Sequence, residues 1–337
     1  MIDYLTHPKF LNYDPSIPPS SQGGGGGMGT KTYRVLEALR DVYPRTQGIC
    51  DASEITADTV LIEPLRFTLP TEGYGDRDLE SVNELIHGLR NHKSRKILYC
   101  SELTLMRMPH VLREQVVESC DLVTANCKYQ ANLFKYVNVH TNHTLCDPVP
   151  DVFLSRLNFR ERKRRLVATG NVSWQKNAPQ VVEVFKRLKG AVERVYVGSA
   201  ALWYTASEEE GPQRLQEELY ANTDRVVHEA TTEQIAREFQ DARFGFWCAF
   251  HDTFATAAQE MMMSGMPVVA AKHGLASEMP AWSASGVRAQ VDAVKRLAGE
   301  TDESLEQQSE RISKWARENV SYAAFQGQLK EVLRAVW

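Results

Sequence analysis

The stretch "HDTFATAAQEMMMSGMPVVAAKHGLASEMP", residues 251–280, carries the strongest fold signal in the chain. Its apolar run "PVVAA" is typical of a buried strand, and the segment before it has helical character. Asp252 and Glu260 lie eight positions apart, which is two turns on a helix and nearly one face. The stretch therefore predicts a loop with Asp252, a helix with Glu260 and three core methionines, and then a strand.

Short apolar runs of this kind alternate with helix-period segments along most of the chain. Strands that alternate with helices indicate βαβ units and parallel sheets, so the predicted fold class is α/β. The predicted strands are residues 59–63, 96–100, 122–125, 166–169, 194–198, 225–228, 244–249 and 267–271.

A change of composition near residues 150–165 predicts a domain boundary. The prolines of "CDPVPDVF" interrupt regular structure, and a polar, basic stretch follows them. We place one domain at 1–155, a second at 156–318, and a C-terminal amphipathic helix at 319–337. The prediction is two Rossmann-like domains facing a cleft.

Composition excludes several classes of protein. The chain has 337 residues, 43% of them hydrophobic, and a formal charge of −4. This composition is that of an ordinary globular protein, and it argues against bulk electrostatic binding of nucleic acid or membrane. No apolar run approaches the length of a membrane span, and no signal peptide is evident. Six scattered cysteines without a C-x-x-C pair indicate a reducing, cytoplasmic location.

Two glycine-containing loops each lead into a predicted helix. The first holds five consecutive glycines at 23–27, and we expect Thr30 to cap the helix after it. Glycines at a helix N-terminus favour an anion, because backbone N–H groups can approach it closely. The spacing of Gly24, Gly26 and Gly29 also fits a dinucleotide motif, which requires a strand directly before it, and "SIPPSSQ" does not predict one. A flexible linker remains an alternative.

The second loop, "GNVSWQKNAP" at residues 170–179, follows a predicted strand. Lys176 stands at the start of the next helix, where a lysine is a point charge suited to a diphosphate.

These motifs, in this order, resemble the retaining GT-B glycosyltransferases of the family-4 type. The hallmark of that family is E-x7-E followed by a small residue and "PVV", and the chain has Asp252, seven residues, Glu260 and then "MMMSGMPVVA". The glycine-rich segment at 18–39, "CDLVTANCKYQANLF" at 120–134 and "TLCDPVPDVF" at 144–153 are also similar to that family. The resemblance implies a GT-B architecture, with the acceptor on the N-terminal domain and a nucleotide-sugar on the C-terminal domain. It also implies that the C-terminal helix packs back toward the first domain.

The resemblance further implies a role for each matching residue. Glu260 would hold the ribose hydroxyls, Asp252 the donor sugar, and Lys176 the leaving diphosphate. The remaining donor-binding positions would be Gly26, Gly27, Gly170, Asn171, Thr253, Phe254 and Ala255. No metal or other cofactor is expected, since fixed donors and a lysine stabilise the departing charge. Asp76 and Asp78 of "DRD" imitate a metal motif, but we expect them to cap the helix that follows.

The expected activity is metal-independent transfer of a hexose or pentose, with retention, from a UDP- or GDP-linked donor to a hydroxyl of a glycan, lipid or small molecule. Three alternatives remain open. The basic run of Arg156, Arg160, Arg162, Lys163, Arg164 and Arg165 could steer DNA with hydroxylated bases. The architecture is shared with sugar-nucleotide epimerases. Asp252 and Asn171 stand where the family has glutamate and arginine, which would suit a protein that binds a nucleotide-sugar without turnover.

Overall fold

The computed structural model describes residues 1–17, 22, 26–68, 78–100, 103–155, 157–170, 172–173, 176–198, 210–249, 255–271 and 274–337. The chain divides into two compact units. Unit 1 comprises Met1–Asp14, Gly27–Pro148 and Tyr322–Trp337. Unit 2 comprises Pro15–Gly26 and Val149–Ser321. The sequence analysis placed its boundaries after residues 155 and 318.

Unit 1 contains a six-stranded parallel sheet of order β2-β1-β3-β4-β5-β6. Its strands are β1 (Ile2–Leu5), β2 (Gln47–Ile49), β3 (Thr59–Ile62), β4 (Arg95–Cys100), β5 (Leu122–Ala125) and β6 (His143–Thr144). Its helices before residue 148 are α1 (Pro8–Leu11), α2 (Gly26–Val42, whose first residue is assigned to unit 2), α3 (Leu79–Asn91), α4 (Thr104–Arg107), α5 (His110–Glu118) and α6 (Lys128–Phe134).

Unit 2 contains a second six-stranded parallel sheet, of order β12-β11-β10-β7-β8-β9. Its strands are β7 (Lys163–Thr169), β8 (Glu193–Gly198), β9 (Arg225–His228), β10 (Ala242–Trp247), β11 (Val268–Ala270) and β12 (Trp282–Ser283). Its helices are α7 (Ala178–Arg187), α8 (Glu210–Ala221), α9 (Thr232–Gln240), α10 (Thr256–Met263), α11 (Val287–Gly299) and α12 (Asp302–Asn319).

The C-terminal helix α13 (Tyr322–Val336) belongs to unit 1. The Tyr322 hydroxyl donates to Glu37, and Gln326 Nε2 donates to the carbonyl oxygen of Ala38 at 2.9 Å. The ring of Phe325 is fully buried, with its centroid 6.3 Å from that of Tyr99.

The α/β fold class is confirmed, and all eight predicted strands are present: those at 122–125 and 225–228 have the predicted bounds, and the other six have shifted ends. The sequence analysis missed β1, β2, β6 and β12. The sequence of β1 did not predict a strand because Asp3 interrupts a short apolar run. In the structure, Asp3 is buried and its carboxylate accepts N–H bonds from Thr56 at 2.7 Å and Ala57 at 2.9 Å.

The strand order of unit 2 defines where a ligand can bind. β7 continues to β8 on one side, while the chain later returns to place β10 on its other side. The gap between the carboxyl ends of β7 and β10 is therefore a topological switch point, which is where open α/β sheets bind their ligands. The loops that follow these two strands carry most of the predicted site residues.

Candidate functional site

The loop after β7 begins with a tightly held turn at Gly170. This residue has φ of +141°, a conformation that glycine adopts without steric cost. Its N–H donates to the carbonyl oxygen of Val197 at 3.2 Å, and its own carbonyl accepts the Tyr196 hydroxyl at 2.8 Å. Burial raises the pKa of Tyr196, so its hydroxyl stays protonated and remains a donor.

Two glycines and a lysine lie together at this edge of the sheet. A Cβ on Gly198, the last residue of β8, would overlap the carbonyl oxygen of Gly170. A Cβ on Gly170 would lie 3.7 Å from Lys176 Cγ. The Lys176 stem therefore passes directly beside the Gly170 turn, and the structure brings these two predicted residues together.

The turn that carries Lys176 is built by Ser173 and Asn177. The backbone N–H of Lys176 donates to Ser173 Oγ at 3.2 Å, and that of Ala178 donates to the Ser173 carbonyl at 3.1 Å. Asn177 adopts the left-handed conformation with φ of 54° and ψ of 41°, and α7 begins after it. Lys176 is half-buried at the N-terminal end of α7, as predicted.

The loop after β10 ends at Ala255, which also has a left-handed backbone, with φ of 53° and ψ of 44°. Ala255 is fully buried, and its carbonyl accepts the N–H of Gln259 at 3.1 Å, so α10 starts from it. Asp252, Thr253 and Phe254 lie outside the described residues, as does Asn171 in the other loop.

Glu260 lies within α10 and is 8% exposed. The neighbouring Met261, Met262 and Met263 are fully buried, which confirms that they fill the core. Met261 packs on β10, since its sulfur would be 2.7 Å from a Cβ built on Gly245. α10 is therefore fixed to the strand that leads into the loop, and Glu260 is carried by a rigid element.

The glycine-rich segment differs from its prediction. α2 begins at Gly26, so Gly26 and Gly27 lie in its first turn, and Thr30 is inside the helix instead of capping it. The Thr30 hydroxyl donates to the Tyr13 hydroxyl at 2.9 Å, and a Cβ on Gly29 would overlap the Tyr13 ring. Packing on Tyr13 thus accounts for Gly29, while residues 23–25 lie outside the described part of the chain.

A buried ion pair that sequence analysis missed lies in unit 1, where the chain leaves β1 and β3. Glu63 is fully buried, pairs with Lys31 of α2 and accepts the Thr6 hydroxyl at 2.5 Å. The signal available in the sequence was a carboxylate directly after an apolar strand. The pair joins α2 to the end of β3, and removing either partner alone would leave the other charge buried and unpaired.

The second aspartate of the "DRD" motif caps a helix, as predicted. Asp78 is the N-cap of α3 and accepts the N–H of Ser81 at 2.8 Å, which lowers the pKa of its carboxyl group. Asp76 lies outside the described residues. Within the described ranges, no group of three or more His, Cys, Asp or Glu side chains is arranged to hold a metal ion.

Four residues of the basic run before and within β7 make ion pairs or hydrogen bonds inside unit 2. Arg160 pairs with Glu306 at 3.1 Å, Lys163 pairs with Asp241 at 2.8 Å, and Arg164 donates to the carbonyl of Ala298. Arg165 is 5% exposed and pairs with Glu193, Glu238 and Asp241. Carboxylates inside unit 2 neutralise Arg160, Lys163 and Arg165, which weakens the case for DNA as the acceptor. Arg156 lies outside the described residues.

The family model for "Glycosyl transferases group 1" matches residues 152–321, half of the chain. The chain therefore belongs to this family of glycosyltransferases, and its fold is the GT-B fold. No match to its sequence is found among curated proteins.

Solved structures agree on the fold. The HepE protein of Anabaena, in complex with UDP and glucose, has 12% identity and a TM-score of 0.67, with 99% of each chain covered. Sucrose-phosphate synthase from Thermosynechococcus elongatus has 12% identity and a TM-score of 0.75, covering 99% of this chain and 98% of that one. A UDP-forming α,α-trehalose-phosphate synthase from Burkholderia vietnamiensis has 13% identity and a TM-score of 0.56, covering 92% and 80%.

In the described part of the chain, no helix combines the length and apolar character that crossing a bilayer requires.

Proposed function

We propose that the protein transfers a sugar from a nucleotide-sugar to an acceptor hydroxyl, with retention at the anomeric carbon and without a metal ion. The observation that carries the proposal is the position of Lys176 beside Gly170, at the switch point of the family-matched unit. A lysine beside a glycine turn at such an edge suits a diphosphate.

In this proposal each group acts on a different part of the donor. The Lys176 ammonium stabilises the charge that develops on the leaving diphosphate, a preorganised electrostatic effect. The N-terminus of α10, entered through Ala255, adds backbone N–H groups and a favourable dipole. Glu260 holds the ribose hydroxyls, and Asp252, with Thr253 and Phe254, contacts the donor sugar. An oxygen of the leaving phosphate assists the acceptor on the same face, which retains the configuration.

For the donor we propose a UDP-sugar first and a GDP-sugar second. The support is that one similar fold is solved with UDP and glucose and another is described as UDP-forming. Gly26 and Gly27, which open α2, remain proposed contacts of the diphosphate. The acceptor is proposed to be a glycan, a lipid or a small molecule, and a cytoplasmic location remains a prediction from the sequence.

The test is a thermal-shift screen against UDP, GDP, ADP and their common sugar conjugates. A nucleotide at about 100 times its Kd stabilises the folded state by about 2.7 kcal/mol, which shifts the melting temperature visibly. We expect one nucleotide class to do so, and we expect Glu260→Ala to abolish the shift, while Glu183→Ala on the exposed side of α7 retains it.

Product analysis then separates the alternatives. Transfer to an acceptor with retained configuration supports the proposal, and an altered nucleotide-sugar without an acceptor indicates an epimerase. Binding with no product from any donor indicates a protein that binds without turnover. A shift with a nicotinamide cofactor alone would contradict the proposed donor site.

A further inference from the structure

The backbone conformation of Asn177, the residue after Lys176, explains only in part why this position is an asparagine. Its φ of 54° lies in the left-handed region, which glycine and asparagine tolerate best. Glycine would satisfy that requirement alone. Asn177 is only 4% exposed, however, so its side-chain amide must find hydrogen-bond partners in the protein.

The Asn177 amide joins the two loops of the switch point. Its Nδ2 donates to the carbonyl oxygen of Cys248 at 3.1 Å and to Gln180 Oε1 at 2.5 Å. The Cys248 thiol lies 3.8 Å from the Asn177 carbonyl and donates to it. Cys248 follows β10 and Asn177 follows the β7 loop, so one residue connects the segments that carry Lys176 and Ala255.

The connection continues through two more amides. Gln180 Nε2 donates to Gln290 Oε1 at 2.6 Å, and Gln290 Nε2 donates to the carbonyl of Ala284 at 3.3 Å. Gln290 is fully buried in α11. The three side-chain amides run between two backbone carbonyls, those of Cys248 and Ala284, and each carbonyl requires an N–H donor. This requirement fixes which end of each amide is nitrogen and which is oxygen. The amide chain therefore links the carboxyl-end segments of β10, β7 and β12.

We propose that Asn177 is a positioning residue that sets Lys176 for contact with the donor diphosphate, an inference that rests on the proposed function. A lysine side chain is flexible, so the location of its ammonium depends on how firmly its stem and backbone are held. Here the stem passes Gly170, and the backbone on the other side is held to Cys248 by the Asn177 amide. Loss of that amide would loosen the turn while the left-handed backbone remains available to glycine.

The test compares Asn177→Gly with Asn138→Gly. Asn138 has nearly the same left-handed backbone, with φ of 56°, but is exposed in unit 1, so it controls for the backbone effect of glycine. Kd is measured by calorimetry for UDP and UMP, or for GDP and GMP if the screen selects guanosine. The ratio of the two constants reports the contact that Lys176 makes with the β-phosphate.

In the wild type we expect the diphosphate to bind at least about tenfold more tightly, as a charge-assisted contact would provide. Asn177→Gly should lose most of that preference while its monophosphate affinity stays within about twofold, and Asn138→Gly should keep both. In a Lys176→Ala background, Asn177→Gly should cause no further loss, because both changes remove one contact.

Gln180→Met provides a second variant if Asn177→Gly fails to fold, since Gln180 is only half-buried. It removes one acceptor of the Asn177 amide and should reduce the diphosphate preference in the same direction. If Lys176→Ala loses the preference while Asn177→Gly, or Gln180→Met in its place, retains it, the inference is overturned. If the wild type shows no preference, the proposed role of Lys176 fails and this inference fails with it.

Discussion

The carbonyl oxygen of Gly170 occupies the space that a side chain on Gly198 would need. Two neighbouring strands therefore end in backbone that is packed against backbone, at the edge where the donor is proposed to bind. The Gly170 carbonyl is also the acceptor of the Tyr196 hydroxyl, so displacing it breaks a buried hydrogen bond.

Gly198→Ala should destabilise the protein by about 2 kcal/mol or more, because either the Gly170 turn or β8 must move. Gly327→Ala is the control, since a Cβ there meets no atom within 4 Å and the position is exposed in α13. It should stabilise by about 0.5–1 kcal/mol through helix propensity. Urea unfolding measures both, and equal midpoints for the two variants would contradict the overlap.

Ala255 and Ala258 should respond oppositely to glycine. Ala255 is strained in the left-handed region, so Ala255→Gly should leave the free energy of unfolding unchanged or raise it by about 1 kcal/mol. Ala258 is buried inside α10, and Ala258→Gly should lower it by about 1 kcal/mol. Thermal unfolding provides the comparison, and a loss at Ala255 as large as that at Ala258 would refute the strain.

The fold was largely predictable because its buried parallel strands are apolar runs with few polar interruptions. The sequence pattern placed Lys176 just before a helix and Glu260 inside one, each after a strand, and the structure has both there; their roles stay predictions that come from the family resemblance. What was missed depends on tertiary partners. One carboxylate oxygen of Asp3 accepts backbone N–H groups 53 and 54 positions away, and the Asn177 amide donates to the carbonyl of Cys248, 71 positions away. No local pattern contains those partners.

The glycine-rich segment illustrates the same limit. The sequence indicated a loop followed by a helix capped at Thr30, whereas α2 starts within the glycines. The reason for Gly29 is the ring of Tyr13, which approaches it through tertiary packing. The basic run was similarly ambiguous, because the carboxylates that neutralise Arg165 come from distant elements.

Arg162 should be replaceable by methionine without loss of stability. It is 6% exposed, its Nε and Nη1 make no hydrogen bond to the described residues, and its Cζ lies 5.2 Å from the centre of the Phe159 ring. Burial lowers its pKa to about 10 from an ordinary 12.5. Arg162→Met should equal the wild type at pH 7 or exceed it by up to about 2 kcal/mol, since a cation–π contact offsets only part of the desolvation.

The pH dependence gives this prediction a sign. Folded Arg162 binds its proton less tightly than the unfolded chain does, so its cost is complete below pH 10 and declines as pH rises further. The advantage of Arg162→Met should shrink above that pH. Arg243→Met is the control: Arg243 faces the same ring but donates to Asp302 at 2.6 Å, so it should lose about 2 kcal/mol. An equal loss in both variants would refute the account.

Asp224 should stabilise the protein only above acidic pH. Arg194, whose side chain is 4% exposed, donates to its two carboxylate oxygens at 2.6 and 2.8 Å and lowers the pKa of Asp224 below 3.8. Asp224→Asn should cost about 1 kcal/mol at pH 7, since Arg194 loses its counter-charge but the 43% exposure of the Asp224 side chain screens the pair.

The Asp224 difference should be complete above about pH 4 and disappear as pH falls through the lowered folded value. Glu118→Gln, which weakens an exposed pair with Arg90 at 3.3 Å, should change stability by less than about 0.5 kcal/mol. A pH-independent difference for Asp224→Asn would contradict the ion-pair explanation.

The most direct test of the account is the steady-state rate of sugar transfer from the nucleotide-sugar selected by the thermal screen. Lys176→Ala should lower kcat by about 100-fold, as loss of a preorganised contact to the leaving group does, and Glu260→Ala should mainly raise the donor KM. Lys186→Ala, an exposed lysine on α7 paired with Glu183 and Glu218, should match the wild type. If Lys176→Ala and Glu260→Ala both keep full turnover, the donor site is not at the switch point of unit 2.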